Sequence, residues 1–221
     1  MERRSNNLRE RMLSLIQGAK FRLMNEKMCK LPIKNIKKNF ENNPTDFIEY
    51  HDSYKSLQTN WPEKPIDKLI ESLKTRSKFK IIADMGCGNA QLAQSLPNKV
   101  HSFDLVSHNV NVIACNMSKV PLSAEAIDIV VFCLSLMGTN ISPFIIEANR
   151  ILKIKGLLII SELCNRFFNL RKFLSTMQQL GFQIIKQDKS NDCFWTFEFK
   201  KIGNPKPYTT LKLKPFLYKK R

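Results

Sequence analysis

Between Lys80 and Gln91 the chain reads Ile81-Ile82-Ala83-Asp84-Met85-Gly86-Cys87-Gly88-Asn89-Ala90, a short apolar run that closes on an acid and then on two glycines. An apolar stretch of that length bounded by glycine reads as a buried strand, and the helical pattern over 90–96 makes the glycines a strand-to-helix turn. Such a start commits the chain to an open α/β sheet. Strand-like runs follow at Val100–Leu105, Asn111–Cys115, Ile127–Phe132 and Leu157–Glu162, with helical patterns over 142–152 and 169–180. Alternation of this kind predicts parallel strands with helices on both faces. Phe182–Asp188 and Cys193–Lys200 are joined only by Lys189-Ser190-Asn191-Asp192, a link too short for a crossover helix, so the last strand is expected to run antiparallel.

The expected fold is therefore α/β and Rossmann-like, of the class I methyltransferase type: a mostly parallel seven-stranded sheet with an antiparallel last strand. Upstream, Leu8, Met12, Leu15, Ile16, Ala19 and Leu23 recur at three- and four-residue steps among Arg and Lys, which predicts a basic amphipathic helix to Met28. A second helix is expected from Pro44-Thr45-Asp46 through Phe47, Ile48, Tyr50, His51 and Tyr54 to a break at Trp61-Pro62. Pro65 suits the first turn of a third, carrying Ile66, Leu69, Ile70 and Leu73. The reading divides the chain into a basic helical extension and lid (1–79), a catalytic core (80–200) and a basic tail (201–221).

Charge supports that division. The net +17 splits into +8 over residues 1–80, −1 over 81–163 and +10 over 164–221. A near-neutral centre between two basic flanks suits a core framed by surfaces that attract a polyanion. The longest apolar run falls far short of the roughly 20 residues that span a bilayer, so no membrane association is expected. Six widely spaced cysteines suggest neither a disulfide framework nor a metal site.

The glycine turn is the expected cofactor site, because glycine lets backbone approach a ligand and the following helical turn offers free N–H groups. NAD enzymes share this logic, but two details favour S-adenosylmethionine. Asp84 opens the loop, where it can approach a cationic methionine end, and Gln91 stands where a dinucleotide fold wants a small residue. Asp104, 20 residues after Asp84, closes the second strand and is placed to accept ribose hydroxyls. Asn116 and Met117, after the third strand, are placed to meet the cofactor adenine.

With these elements located, the chain resembles the nucleomethylin family of nucleolar ribosomal RNA-processing adenine methyltransferases. The resemblance runs from about Phe21 onward and rests on Tyr50-His51, Trp61-Pro62, Ala83 to Gly88, His101 to Leu105, Val120-Pro121-Leu122, Phe132 to Asn140, Glu147-Ala148-Asn149-Arg150 and Leu217-Tyr218-Lys219. It implies S-adenosylmethionine as donor, S-adenosylhomocysteine as product, and N1-methylation of an adenosine in large-subunit ribosomal RNA or a pre-ribosome. Nuclear and nucleolar residence and a monomer are expected with it. Carried onto matching positions, the cofactor contacts are His51, Gly86, Asp104, Asn116, Met117 and Cys133. The family usually has Asp where this chain has Asn116, which keeps an acceptor oxygen and loses a charge.

A sulfonium methyl is already activated, so a nucleophile with a free lone pair needs alignment more than a strong base. The N1-methylated product is cationic, and backbone carbonyls around Cys133 to Leu136, or the Glu162 carboxylate, are candidates to stabilise it. The place after the fourth strand reads Cys133-Leu134-Ser135-Leu136, without the Pro-Pro-aromatic run of exocyclic-amine methylation. Cys133 has no evident activating partner for cytosine C5 chemistry. The alternatives are a nuclear protein methyltransferase and a non-catalytic regulator that binds the same donor; the basic flanks disfavour the first, and intact Gly86, Gly88 and Asp104 the second.

Overall fold

The computed structural model describes residues 2–31, 33–58, 61, 63–76, 80–107 and 110–215. The chain divides into two compact units, residues 1–64 with 216–221, and residues 65–215. The two units meet in the chain at Lys64/Pro65.

In the first unit, helices α1 (Glu2–Lys30), α2 (Ile33–Asn42) and α3 (Pro44–Gln58) pack through aromatic rings. Phe21 of α1 stacks on Tyr50 and Tyr54 of α3 at 5.0 and 5.5 Å, and Phe40 of α2 meets Phe47 edge-on at 5.4 Å. These contacts correct the expected face of α1. Met12, Leu15, Ile16 and Leu23 are exposed, while Phe21, Asn25 and Met28 are buried. The large Phe21 ring sets the buried stripe, and the aliphatic residues on the other faces cannot share it. Helix α2 was not expected, because its sequence is dominated by Lys and Asn; among its described side chains Ile36 and Phe40, four residues apart, are the buried ones.

In the second unit, α4 (Pro65–Lys74) precedes strands β1 (Ile82–Met85), β2 (Val100–Asp104), β3 (Val112–Ala114), β4 (Ile127–Cys133), β5 (Leu152–Leu163), β6 (Phe182–Asp188) and β7 (Phe194–Lys201). Helix α5 (Gln91–Ser95) joins β1 to β2, α6 (Ser142–Ile151) joins β4 to β5, and α7 (Leu170–Gln179) follows a 3-10 turn at Cys164–Arg166. The sheet order is β3-β2-β1-β4-β5-β7-β6, with β7 antiparallel to both of its neighbours. The hairpin therefore returns its second strand into the sheet and leaves β6 at the edge.

Alternation along the strands explains the layering. Ile82, Ile129, Val131 and Ile159 share one face and pack with Leu69, Ile70 and Leu73 of α4 and Leu92 of α5. Helix α4, assigned by sequence to the extension, is thus part of the sheet's core. The intervening residues Ala83, Met85, Val130, Phe132, Leu158 and Ile160 are buried as well, so the central strands are apolar on both faces. Helix α7 sets Phe173 against Phe197 and Phe199 of β7 at 5.7 and 6.2 Å.

Residues 202–215 of the basic tail are mostly exposed but pack on the core at two points. Leu211 and Leu213 are buried, Leu213 N donates to Thr139 O, Ile141 N donates to Leu211 O, and Asn140 bridges Lys212. The segment straps the loop between β4 and α6. Leu217-Tyr218-Lys219 lies outside the described residues.

The family motif Glu147-Ala148-Asn149-Arg150 is also structural. Glu147 accepts from Val120 N at 2.7 Å and from Arg150 at 2.7 Å, which pins the Val120-Pro121-Leu122 turn. Asn149 Nδ2 donates to the carbonyls of Leu180 and Gly203 at 3.0 and 2.9 Å.

Candidate functional site

The strand order reverses between β1 and β4, and an open α/β sheet takes its ligands at the carboxyl ends of the strands beside such a reversal. The turn after β1 and the loop after β4 meet there. Gly86 and Gly88 have φ of +76° and +54°, left-handed values that favour glycine. A Cβ added to Gly86 would stand 2.5 Å from the Ser135 Cβ, so glycine is required by space as well as by torsion. The turn is fixed from β2: Gly86 N and Cys87 N both donate to Phe103 O, at 2.8 and 3.0 Å.

Asp104, at the end of β2, holds the same turn. Its Oδ2 accepts from Gly88 N at 2.8 Å and its Oδ1 from Leu105 N at 2.7 Å. A carboxylate oxygen can accept more than one hydrogen bond, so bracing the turn is compatible with accepting from a ligand hydroxyl. Asn116 and Met117 follow β3 and are half-buried. Asn116 Oδ1 accepts from Ser118 N at 3.0 Å, and Asn116 O from Lys119 N at 2.9 Å. The side-chain oxygen expected to meet an adenine amine thus also closes an Asx turn.

Asp84 is buried at the end of β1, in register with Ser102 of β2 and Val131 of β4. Burial, with the neighbouring Asp104 charge adding to it, pushes its carboxyl up to about 7. Two buried hydroxyls, Ser102 Oγ and Ser135 Oγ, have no hydrogen-bond partner among the described residues. An unpaired buried hydroxyl is costly, and a ligand is one way to satisfy it. Acids crowded together, with orphaned hydroxyls beside them and a glycine turn over them, suit a cationic ligand that carries its own donors and acceptors. S-adenosylmethionine, with an ammonium, a sulfonium and a ribose, fits that description.

Sequence reasoning missed Ser135. Its signal was present in the Cys133-Leu134-Ser135-Leu136 stretch, but nothing in the sequence shows that it packs on Gly86. The loop is strained, since Leu134 has φ of +54°, a conformation costing a non-glycine residue about 1–2 kcal/mol. It is held by Arg166, whose Nη1 donates to Leu136 O at 2.6 Å and to Glu162 Oε2 at 2.7 Å, and whose Nη2 donates to Gly138 O at 2.7 Å. Arg166 Nε donates to Lys214 O at 3.0 Å, so the C-terminal strap shares the anchor.

Two expectations change as a result. Glu162 is buried and its charge is committed to Arg166 rather than facing an open site. Burial pushes its carboxyl up, while the Arg166 guanidinium and the Leu163 N–H pull it back. The Leu136 carbonyl likewise accepts from Arg166. Burial, followed by the charges of Asp84, Glu162 and Asp67, drives the Cys133 thiol well above its ordinary value, and Cys87 is raised in the same way by burial, Asp84 and Asp104. Neither is a thiolate nucleophile at neutral pH.

His51 belongs to the helical unit, where its ring packs on Phe47 at 4.3 Å. Among the described residues no group of three or more His, Cys, Asp or Glu is placed to hold a metal ion, and no helix is long and apolar enough to cross a membrane.

Residues 7–221 match a family described as hypothetical methyltransferase. The chain belongs to this family. Ribosomal RNA-processing protein 8 of Mus musculus is 42% identical over all of this chain and 49% of its own length, and that of Arabidopsis thaliana 42% identical over 97% of this chain and 77% of its own. The 25S rRNA (adenine(645)-N(1))-methyltransferase of Schizosaccharomyces pombe is 39% identical over 89% of this chain and 66% of its own length. The nucleomethylin resemblance is borne out, and the chain spans about half the length of the mouse and rat relatives it matches. The fold also has solved counterparts. The Burkholderia thailandensis 1,6-didemethyltoxoflavin-N1-methyltransferase superposes with a TM-score of 0.55 at 13% identity, covering 72% of this chain and 87% of that one. A TehB-like methyltransferase of Corynebacterium glutamicum superposes with a TM-score of 0.55 at 16% identity, covering 72% and 100%. The fold is that of class I S-adenosylmethionine-dependent methyltransferases.

Proposed function

We propose that this protein transfers a methyl group from S-adenosylmethionine to N1 of an adenosine in large-subunit ribosomal RNA, acting in the nucleolus during ribosome assembly. The observation that carries the reading is the junction of Gly86 with Ser135 at the sheet's reversal point, a donor cradle built beside the loop from which a substrate base is approached. The relatives' names supply the substrate class: a ribosomal RNA adenine-N1 methyltransferase and several ribosomal RNA-processing proteins.

When bound, the donor supplies an activated methyl on a sulfonium. This chain's residues then position and neutralise. Asp104 takes the ribose hydroxyls, Asn116 and Met117 the adenine edge, and Gly86, Gly88 and Cys133 line the cradle. Asp84 and Ser135 face the amino-acid end, where the carboxylate balances the ammonium and the hydroxyl takes up a polar contact it otherwise lacks. His51 is assigned a donor contact by the family pattern, which His51→Ala tests through donor affinity. Adenine N1 presents its lone pair without a base, so alignment carries the rate. Glu162 acts at one remove, by fixing Arg166 and through it the Leu134–Gly138 loop.

The deciding experiment incubates the protein with labelled S-adenosylmethionine and large-subunit ribosomal RNA lacking its native modifications, followed by nucleoside mass spectrometry. N1-methyladenosine that disappears with Asp104→Ala is expected. Donor binding without transfer to RNA would overturn the reading.

A further inference from the structure

Two aromatic rings at one end of the sheet each carry a lysine over the face. Phe168 is 65% exposed, with Lys214 Nζ 5.7 Å from its ring centroid. Trp195 is half-buried, with Lys189 Nζ 5.6 Å from its ring. The β5–β7 register sets Trp195 opposite Glu162 and Phe194 opposite Leu163. The start of antiparallel β7 therefore lies at the carboxyl end of β5, the end of the sheet that carries the donor cradle.

Phe167, the chain neighbour of Phe168, packs against Trp195 at 6.0 Å with an interplanar angle of 16°, and meets Phe173 and Phe197 edge-on at 4.9 and 5.1 Å. The outer pair is anchored through its backbone, since Lys214 N donates to Arg166 O and Arg166 Nε to Lys214 O, each at 3.0 Å. Arg166 also holds the loop that packs on Gly86, so Phe168 and Lys214 are joined to the site by one guanidinium. Exposed Arg171 and Lys172 follow Phe168 at the start of α7. The nearby acids are Asp188, which accepts from the Ser190 hydroxyl and N–H at 2.6 and 3.0 Å, and the exposed Asp192.

An exposed phenylalanine gains nothing from burial in the chain itself. A flat ring flanked by a cation offers what an unpaired nucleotide needs, a surface for its base and a charge for its phosphate. We propose that Phe168 with Lys214 forms a stacking platform for the unpaired nucleotides that flank the target adenosine, with Lys189 beside Trp195 as a further phosphate contact. The proposal rests on RNA being the substrate. A basic protein substrate is disfavoured, because four exposed cations, Arg171, Lys172, Lys189 and Lys214, line the same end.

The test measures two things in parallel on the full chain: equilibrium binding of a fluorescent unpaired RNA oligonucleotide containing adenosine, and methyl transfer to unmodified large-subunit ribosomal RNA. Phe168→Ala and Phe168→Leu are expected to raise the RNA Kd and KM roughly fivefold or more, the loss of one stacked base. Phe168→Trp restores them. Lys214→Glu and Lys189→Glu each weaken binding and lower the slope of log affinity against log salt by about one unit. Affinity for S-adenosylhomocysteine stays at the wild-type value throughout, and the loss appears in KM rather than kcat. RNA binding indifferent to Phe168→Ala and Lys214→Glu overturns the platform, as does full binding by Phe168→Leu, since leucine is apolar but cannot stack. Wild-type protein that binds RNA through Phe168 yet transfers no methyl to it leaves the platform standing and overturns the reading of the activity. Wild-type protein that binds no RNA overturns both.

Discussion

Arg166 reaches Glu162 at 2.7 Å with both side chains buried, and the same guanidinium spends its other donors on the carbonyls of Leu136, Gly138 and Lys214. A buried ion pair adds little net stability over an apolar pair, but removing one partner strands the other. Arg166→Ala should therefore cost about 3–5 kcal/mol of unfolding free energy, read by urea denaturation. Glu162→Gln keeps an acceptor for Arg166 and should cost less. Equal losses in the two variants would refute the clamp.

Ser135→Ala separates stability from binding. The hydroxyl is buried and unpaired, so its removal should leave the thermal midpoint unchanged or slightly raised. Affinity for S-adenosylhomocysteine should fall about tenfold, the loss of one hydrogen bond to a charged group. Affinity for methylthioadenosine, which lacks the amino-acid end, should not change. A matching loss with both ligands would move Ser135 away from that end.

Gly86→Ala meets two obstacles, a φ of +76° and a Cβ 2.5 Å from that of Ser135. The variant should lose donor binding and several kcal/mol of stability. Adding Ser135→Gly removes the clash and leaves the torsional cost, so the double variant should recover part of the midpoint. No recovery would mean that the contact is relieved some other way.

Asp84 makes donor binding depend on pH. Its carboxyl titrates at about 7 in the folded protein against an ordinary 3.8, so the native state binds the extra proton between those values. Stability from this group alone is greatest below pH 4 and declines as pH rises towards 7. A cationic donor favours the ionised form, so its affinity moves the other way, rising with pH and levelling above about 7. The shift in thermal midpoint caused by S-adenosylmethionine should be larger at pH 8 than at pH 6, and Asp84→Asn should abolish the difference. A pH-independent shift in the wild type would contradict the assignment.

Asn149→Ala should destabilise by about 1–3 kcal/mol, because the carbonyls of Leu180 and Gly203 lose their donor. Donor and RNA affinities, measured well below the midpoint, should stay as they were. A selective loss of either would give this motif residue a role in binding.

Strands were legible where apolar runs met glycine or a change of period, and the β6–β7 hairpin could be read from its four-residue link. What escaped depended on partners distant in sequence. The buried face of α1 is chosen by Phe21 against Tyr50 and Tyr54, which no periodicity within the helix can reveal. Strand β5 starts at Leu152 rather than Leu157, because Leu152 pairs with Ile127 before a register shift. The Gly86, Asp104 and Asn116 positions were readable from strand ends, since in a parallel sheet those ends converge. Ser135 and Arg166 were not, because their significance lies in a contact with Gly86 and in three carbonyls spread from Leu136 to Lys214.

The strap through Leu211 and Leu213 has a consequence for how the protein is made. Vectorial synthesis delivers the glycine turn early, with the loop after β4 following some fifty residues later, yet the carbonyl of Lys214 and the pairing of Asn140 with Lys212 arrive only after nearly all of the core has emerged. The loop after β4 therefore waits for the most distant part of the core in sequence, and the site is complete only when Leu211 to Lys214 have closed over it.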